Sequence, residues 1–222
     1  MDAYDGFEED ELNPIWSRKL LAPNSFEFQS NIVRSGKQAL KIIIRPKDNL
    51  QLNEGGKASE RNELVEQKEL RSVEDKEYSY AFSLFIPKEF PIVQTRLVLA
   101  QWKQLDELEI AKIDNPILAL RYVNGELFIT LQTSEERKKI FSTKDEVRGK
   151  WLDLKFNIKF SRRDSHVHVW LNDKEIVKYS GITAYNENYG YPKKSLFYFK
   201  MGLYRDCIQQ QMAIYFDEYK KN

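Results

Sequence analysis

The sequence predicts an all-β protein, a β-sandwich or jelly roll built from one domain over residues 1–222. Apolar and polar residues alternate wherever the pattern is regular, and this period of two is typical of strands with one buried face. Long amphipathic helical stretches are scarce, and no repeat or linker rich in Pro, Gly or Ser divides the chain. Many short strands in one unbroken unit favour a sandwich of sheets.

The alternation places the strands along the chain. Leu152–Phe160 is the most regular, with an apolar residue at every even position. Further strands are predicted over 39–44, 78–86, 117–123, 126–132 and 167–171. Asn124-Gly125 predicts a two-residue hairpin because both residues tolerate positive φ, and Asn172-Asp173 predicts a second turn. The charged run Ser134–Lys139 is the best helical candidate, although a loop fits it equally well.

Composition and charge exclude several classes of function. The formal net charge is +1, from 35 basic and 34 acidic residues, whereas a nucleic-acid-binding domain has a basic excess. The sequence contains no apolar run long enough for a membrane span. The single cysteine, Cys207, excludes an internal disulfide framework and a multi-cysteine metal site. The first residues show no apolar signal sequence, so we expect either a cytosolic protein or the trimmed form of an exported one.

Three segments carry polar residues that a simple sheet does not need. Arg61 and Glu63 share one face of the segment Ser59–Glu66, and Gln101 and Lys103 share one face after an apolar lead. Taken alone, the first pair is equally explained as a cross-strand ion pair. The second is somewhat better explained, when taken alone, as the end of a strand.

The third segment, Tyr198–Tyr204, is the most informative. Tyr198, Lys200 and Tyr204 point one way, while the intervening residues form an apolar stripe. Gly202 removes a side chain from the polar face, which allows a ligand or a neighbouring backbone to approach closely. A solvent-exposed sheet face with amphipathic side chains is the alternative interpretation of this strand alone.

Together the three segments resemble the polysaccharide lyases of jelly-roll fold, a group that includes alginate lyases, glucuronan lyase and heparin lyase I. That group shows Arg-x-Glu-Leu-Arg, Gln-x-His and Tyr-Phe-Lys-x-Gly-x-Tyr strands in this order. Here they correspond to residues 61–65, 101–103 and 198–204, and the last is a full match. The resemblance spans nearly the whole chain, and it implies a concanavalin A-like jelly roll of two antiparallel sheets.

The resemblance implies cleavage of a uronic-acid-containing polysaccharide by β-elimination. The substrate carboxylate must be neutralised, a base must remove the C5 proton, and an acid must protonate the leaving oxygen. By resemblance, Arg61 and Gln101 bind the carboxylate, and Tyr204 is the acid, with its use as the base left open. Lys200 is expected to hold the carboxylate or to lower the pKa of Tyr204. Further substrate contacts are expected from Glu63, Tyr198, Trp102, Tyr189 and Tyr191.

Two residues depart from the family pattern. Lys103 stands where the family has His, and it can neutralise a carboxylate but is a base only when its pKa is lowered. Val65 replaces the final Arg of the first motif, which removes one substrate contact. His166 and His168 share a strand face at a spacing that can seat a metal, yet a solvent-facing pair is the expected arrangement. No cofactor is expected, and a structural or activating Ca²⁺ is left open.

Other functions remain open at this point. A non-catalytic carbohydrate-binding module or lectin of the same fold is the main alternative, because Lys103 is also compatible with a degenerate site. A glycoside hydrolase would use Glu-x-Asp-x-x-Glu, but Gln104–Glu109 lacks the first carboxylate. No feature favours a plain interaction domain. The expected partner is an anionic polysaccharide, the expected state a monomer, and the expected location secreted or periplasmic, with the cytoplasm left open.

Overall fold

Two antiparallel sheets pack face to face in the computed structural model, which describes residues 2–52 and 57–222. The strands of the first sheet are β1 (Ala3–Asp5), β3 (Phe26–Gln29), β4 (Ala39–Ile44), β8 (Glu77–Phe85), β13 (Trp151–Lys159), β14 (His166–Leu171), β15 (Lys174–Ser180) and β17 (Met212–Lys221). Their order is β15-β14-β13-β8-β17-β4-β3, and β1 also pairs with β17. We call this the eight-stranded sheet.

The second, nine-stranded sheet carries all three of the polar segments. Its strands are β2 (Trp16–Leu20), β5 (Gln51–Leu52), β6 (Ala58–Glu66), β7 (Ser72–Val73), β9 (Leu97–Gln104), β10 (Leu118–Val123), β11 (Glu126–Gln132), β12 (Arg137–Thr143) and β16 (Leu196–Asp206). Their order is β12-β11-β10-β9-β16-β6-β2, with β5 beside β6 and β7 beside β16. Short 3₁₀ turns occur at Lys68–Leu70 and Glu187–Tyr189, and the described residues contain no helix with the length and hydropathy of a membrane span.

The core lies between the sheets and follows from the alternation of residues along each strand. In β13, every even-numbered residue is buried and the polar residues between them face outward. The ring centres of Trp102 and Phe156 are 4.5 Å apart, and those of Phe82 and Phe199 are 5.7 Å apart, so aromatic contacts join the two sheets. The predicted fold of two antiparallel sheets is confirmed.

The turns agree with the sequence, whereas the helical candidate does not. Asn124-Gly125 joins β10 to β11 with φ values of 50° and 80°, and Asn172-Asp173 joins β14 to β15 with φ values of 48° and 63°. A helix over Ser134–Lys139 is wrong, because Arg137 already pairs with Gln132 of β11. Its three basic residues, Arg137–Lys139, instead open the edge strand β12, where charges discourage pairing with other chains.

Candidate active site

The three polar segments form neighbouring strands in the middle of the nine-stranded sheet. In β16, Lys200 lies opposite Gln101 of β9, and Tyr204 lies opposite Arg61 of β6. Side chains on one face recur every two residues, so these groups face the same side, away from the core. Segments separated by about 140 residues in sequence therefore meet at one surface.

A groove with a volume of about 770 Å³ crosses this face of the nine-stranded sheet. Seven basic and two acidic side chains line it, although the whole chain carries a net charge of only +1. The basic residues are Arg61, Arg96, Lys103, Lys112, Arg121, Arg137 and Lys200. Such a concentration of positive charge in a concave surface favours an anionic ligand.

A second cavity, of about 650 Å³, lies on the eight-stranded sheet and differs in charge. Three basic and three acidic side chains line it. Its Arg34 forms two hydrogen bonds with Asp153, at 2.9 and 2.8 Å, so these charges compensate each other. The groove of the nine-stranded sheet is the stronger candidate because most of its positive charge lacks such compensation.

Tyr204 lies against two guanidinium groups in the groove. The guanidinium carbons of Arg61 and Arg96 are 4.2 and 4.3 Å from its ring centre. Burial raises the pKa of Tyr204, but a hydrogen bond from Arg96 and the charges of Arg96 and Arg61 outweigh this effect, so the pKa lies below its usual value of 10.0. Arg96 is fixed in turn by Asp206, whose carboxylate accepts its Nε hydrogen at 2.8 Å. The surroundings thus stabilise a Tyr204 phenolate.

Glu63 lies beneath the groove and orients its neighbours. Its side chain is only 1% exposed, and its carboxylate accepts a hydrogen bond from the Gln101 amide. Arg61 is 3.9 Å away, a weak ion pair. Glu63 does not line the groove, whereas the similarly buried Gln101 does, and whether Glu63 contacts the substrate stays a prediction. Its position fixes the Gln101 amide and leaves the second N–H of that amide available.

Lys200 is a nearly buried lysine whose ammonium group faces the groove. The residue is 6% exposed, and its Nζ is 5.4 Å from the ring centre of Tyr198. Burial is the main cause that lowers its pKa, the charge of Glu63 opposes the shift, and the charges of Lys103 and Arg61 add to it; together they set the pKa at about 8. The charge of Lys200 is therefore sensitive to pH in the neutral to mildly alkaline range.

Lys103 enters the groove already paired. Its Nζ lies 2.6 Å from the carboxylate of Asp114, which precedes β10 and is itself largely exposed. Since its ammonium group is already engaged with a carboxylate, Lys103 is placed to bind negative charge rather than to remove a proton. The structure thus brings Arg61, Gln101, Lys103, Lys200 and Tyr204 together in one groove.

Two other residues that were predicted to contact a sugar lie in the protein interior. Trp102 is 0% exposed and packs against Phe199 with ring centres 4.8 Å apart, so it cannot stack on a sugar. Tyr191 is also buried, and its hydroxyl donates to the carbonyl of Ile113 at 3.1 Å. Both predictions of substrate contact are wrong, because these rings complete the core instead.

Tyr189 and Tyr198 are half-buried and stand outside the residues that line the groove. The Tyr189 carbonyl accepts the backbone N–H of Lys112 at 3.0 Å. This contact makes the segment around Tyr189 a support for the loop that carries Asp114. Tyr198 lies beside the Lys200 ammonium, and burial raises the pKa of its hydroxyl. Whether either ring contacts a sugar stays a prediction.

Two arginines in the groove were missed by the sequence reasoning. Arg96 precedes β9 and Arg121 lies in β10, and Arg137, which opens β12, lines the groove as well. The alternation of β10 contained a signal for Arg121, because Leu120 and Tyr122 on either side of it are core residues. A single polar residue flanked by apolar ones is ordinary for a strand, so its neighbours in the sheet were needed to reveal a site.

The histidine pair and the hydrolase motif lie outside this groove. His166 and His168 belong to the eight-stranded sheet, and His166 lies 3.0 Å from the exposed carboxylate of Glu77. Gln104 is buried, and its side-chain oxygen accepts a hydrogen bond from the backbone N–H of Tyr185 at 2.7 Å, so its role is structural. Over residues 2–52 and 57–222, no three His, Cys, Asp or Glu side chains cluster as a metal site would require, and dependence on Ca²⁺ stays untested.

Comparison with known proteins identifies the family of this chain. A family model described as polysaccharide lyase matches residues 1–220. The chain belongs to the polysaccharide lyase family. A search of the curated proteins gave no match.

Solved structures share the fold of this polysaccharide lyase at low sequence identity. An endo-β-1,4-glucuronan lyase from the fungus Trichoderma reesei is 16% identical with a TM-score of 0.71, over 99% of this chain and 94% of the other. The alginate lyase vAL-1 from a Chlorella virus is 11% identical with a TM-score of 0.56, over 88% of both chains. The cellulose-induced protein Cip1 is 10% identical with a TM-score of 0.63, over 99% and 96%.

Proposed function

We propose that this polysaccharide lyase cleaves a uronic-acid-containing polysaccharide by β-elimination in the groove around Tyr204. The observation that carries the proposal is the contact of the Tyr204 ring with the guanidinium groups of Arg61 and Arg96 inside a strongly basic groove. A tyrosine of lowered pKa beside fixed cations provides both an acid–base group and a site for an anion. Among the structural neighbours, the glucuronan lyase and the alginate lyase are named for anionic polysaccharides.

The first requirement of the reaction is neutralisation of the substrate carboxylate. The C5 proton is weakly acidic, and it leaves more readily when positive charge and N–H donors stabilise the enolate-like intermediate. Arg61, Gln101 and Lys200 supply these groups from three adjacent strands. Gly202 lies between Lys200 and Tyr204 on β16 and adds no side chain, which leaves room for a sugar between them.

The second requirement is proton transfer, which we assign to Tyr204. As a phenolate it takes the C5 proton, and the electrons of the C5–H bond form the C4=C5 double bond. The bond from C4 to the glycosidic oxygen then breaks, and the phenol returns the proton to that oxygen. Because one group removes and returns the same proton, the reaction consumes no external acid, base or redox partner.

Lys103 takes a different role from the histidine that the family motif has at this position. Its ammonium group is paired with the carboxylate of Asp114. We therefore assign it to carboxylate binding beside Gln101. The base function rests with Tyr204, whose pKa is lowered by its surroundings.

The experiment is an assay of the purified full chain on polyglucuronate and alginate, read as the ultraviolet absorbance of the unsaturated product. Tyr204→Phe keeps the ring between the guanidinium groups but removes the hydroxyl, and we expect kcat to fall by roughly 10²–10⁴. Tyr179→Phe, on the eight-stranded sheet, is the matched control and should keep wild-type activity.

Two results would contradict the proposal. Full activity of Tyr204→Phe would refute the role of this residue. Binding of both polymers by the wild type without any rise in absorbance, across a wide pH range, would instead favour a carbohydrate-binding module. Circular dichroism of each variant shows whether a loss of activity comes from the chemistry or from the fold.

A further inference from the structure

Arg121 is a buried arginine without a charged partner at the far side of the groove. It lies in β10, is only 5% exposed, and its Nε donates to the hydroxyl of Thr130 at 3.0 Å. Among the described residues, no carboxylate forms an ion pair with Arg121 or with its neighbour Arg137. Arg137 donates only to the side-chain oxygen of Gln132, at 3.0 Å.

Holding this guanidinium unpaired is unfavourable for the folded protein. Burial, together with the positive charges of Arg137 and Arg96, lowers the pKa of Arg121 to about 9. Arginine nevertheless stays charged at neutral pH, so the cost appears as lost stability rather than as a lost proton. An anion bound between Arg121 and Arg137 would relieve this cost.

The position of Arg121 relative to Tyr204 is set by strand register. Tyr204 of β16 and Arg121 of β10 both lie opposite Val98 of β9. Two strand spacings separate the two backbones, a distance of about 10 Å. Val98 carries a short apolar side chain, so the residue that lies opposite both groups adds no charge of its own to this row. A polysaccharide that crosses the strands at Tyr204 therefore continues over Arg121 with another of its sugars.

We propose that Arg121 and Arg137 form a second anion subsite, which binds the acidic group of a sugar other than the one that is cleaved. The substrate is then a polyanion that carries a further acidic group, a carboxylate or a sulfate, on another sugar of the same chain. This inference rests on the proposed function for the direction of the sugar chain.

The test measures binding to the full chain in the Tyr204→Phe background, with and without Arg121→Gln. The probes are polyglucuronate, in which every sugar carries a carboxylate; hyaluronan, in which only every second sugar is acidic; and chondroitin sulfate, which adds a sulfate on the intervening sugar. We expect Arg121→Gln to weaken binding of polyglucuronate at least tenfold. A similar loss with hyaluronan places the subsite two sugars from the cleaved one, whereas a loss with chondroitin sulfate but not with hyaluronan places a sulfate of the adjacent sugar there. The polymer affected identifies the carboxylate or the sulfate as the ligand.

Control variants separate a binding role from a structural role. Lys138→Gln removes the same charge from an exposed position on β12 that does not line the groove, and it should leave all affinities unchanged. Arg121→Lys keeps the charge and should restore part of the affinity. Because Arg121 is unpaired, Arg121→Gln should also keep or raise the melting temperature, whereas a residue that only stabilises the fold would lower it.

The outcomes distinguish this inference from the proposed function. Unchanged affinities in Arg121→Gln, or the absence of binding to all three polymers, overturn the subsite. Loss of affinity together with a lowered melting temperature assigns Arg121 to the fold and also overturns it. Arg121-dependent binding by a wild type that releases no unsaturated product supports the subsite and refutes the lyase activity. Cleavage of a polymer by the wild type, together with unchanged affinities of Arg121→Gln, supports the lyase activity and overturns the subsite.

Discussion

Lys200→Met is expected to stabilise the protein at neutral pH while weakening its site. The ordinary lysine pKa of 10.5 falls to about 8 in the folded chain, chiefly because of burial. At 1.36 kcal/mol per pH unit, this shift corresponds to about 3 kcal/mol by which the folded state disfavours the charged form. Met fills a similar volume without the charge, so it removes that cost. The expected gain in the free energy of unfolding is therefore up to about 3 kcal/mol.

The gain should disappear as the pH rises, and this dependence identifies its cause. Below about pH 8, Lys200 is protonated in both the folded and the unfolded chain, so the whole cost is present. Between about 8 and 10.5 the unfolded chain keeps a proton that the folded chain releases, so the stability of the wild type rises through this window. The difference between the variant and the wild type should shrink to near zero at its upper end.

Urea unfolding of both proteins at several pH values measures this difference directly. Other groups that titrate at alkaline pH are common to both chains and cancel in the comparison. Lys138→Met, at an exposed position on β12, is the matched control and should show no such pH dependence. Equal or lower stability of Lys200→Met near neutral pH, or a gain that persists at pH 10.5, would refute the electrostatic explanation.

Two further predictions concern Arg96 and Gly202. Arg96→Gln removes the charge and hydrogen bond that lower the pKa of Tyr204, so the rising limb of kcat/KM against pH should move to higher pH; an unmoved limb would show that Tyr204 is not the base. Gly202→Ala should lower the free energy of unfolding, measured in urea, by roughly 2 kcal/mol or more. The φ of Gly202 is 145°, and the new Cβ would overlap the Asn62 carbonyl and lie 2.8 Å from the Glu63 Cα. Gly125→Ala, whose nearest neighbour is 3.8 Å away, is the control, and an equal cost in both variants would contradict the steric explanation.

Much of the fold was predictable because local rules and tertiary packing agree. The even-numbered residues of β13 are buried as their alternation predicts, and Asn124-Gly125 adopts the positive φ values that its turn requires. The prediction of a helix over Ser134–Lys139 failed because charged residues suit a helix surface and an edge strand equally. Pairing with β11 decided between the two structures, and sequence alone does not reveal a partner strand.

The site was predictable where a motif repeats a known pattern, and less so elsewhere. Arg61, Gln101 and Lys200 face the groove together because their strands are neighbours. Trp102 was misjudged although it alternates with Gln101, so the period of two already placed its ring on the core side. Arg96 and Arg121 belong to no motif, and only the order of the strands brings them to Tyr204.

The ion pair between Lys103 and Asp114 has a consequence for selectivity. The Asp114 side chain is 63% exposed and acts as an internal counter-ion for Lys103, which lies among the other basic residues of the groove. A sugar carboxylate that binds Lys103 can replace this counter-ion at little electrostatic cost, since one anion is exchanged for another. A neutral sugar offers no such exchange. The groove can therefore reject uncharged polysaccharides at the binding step, before any bond is broken.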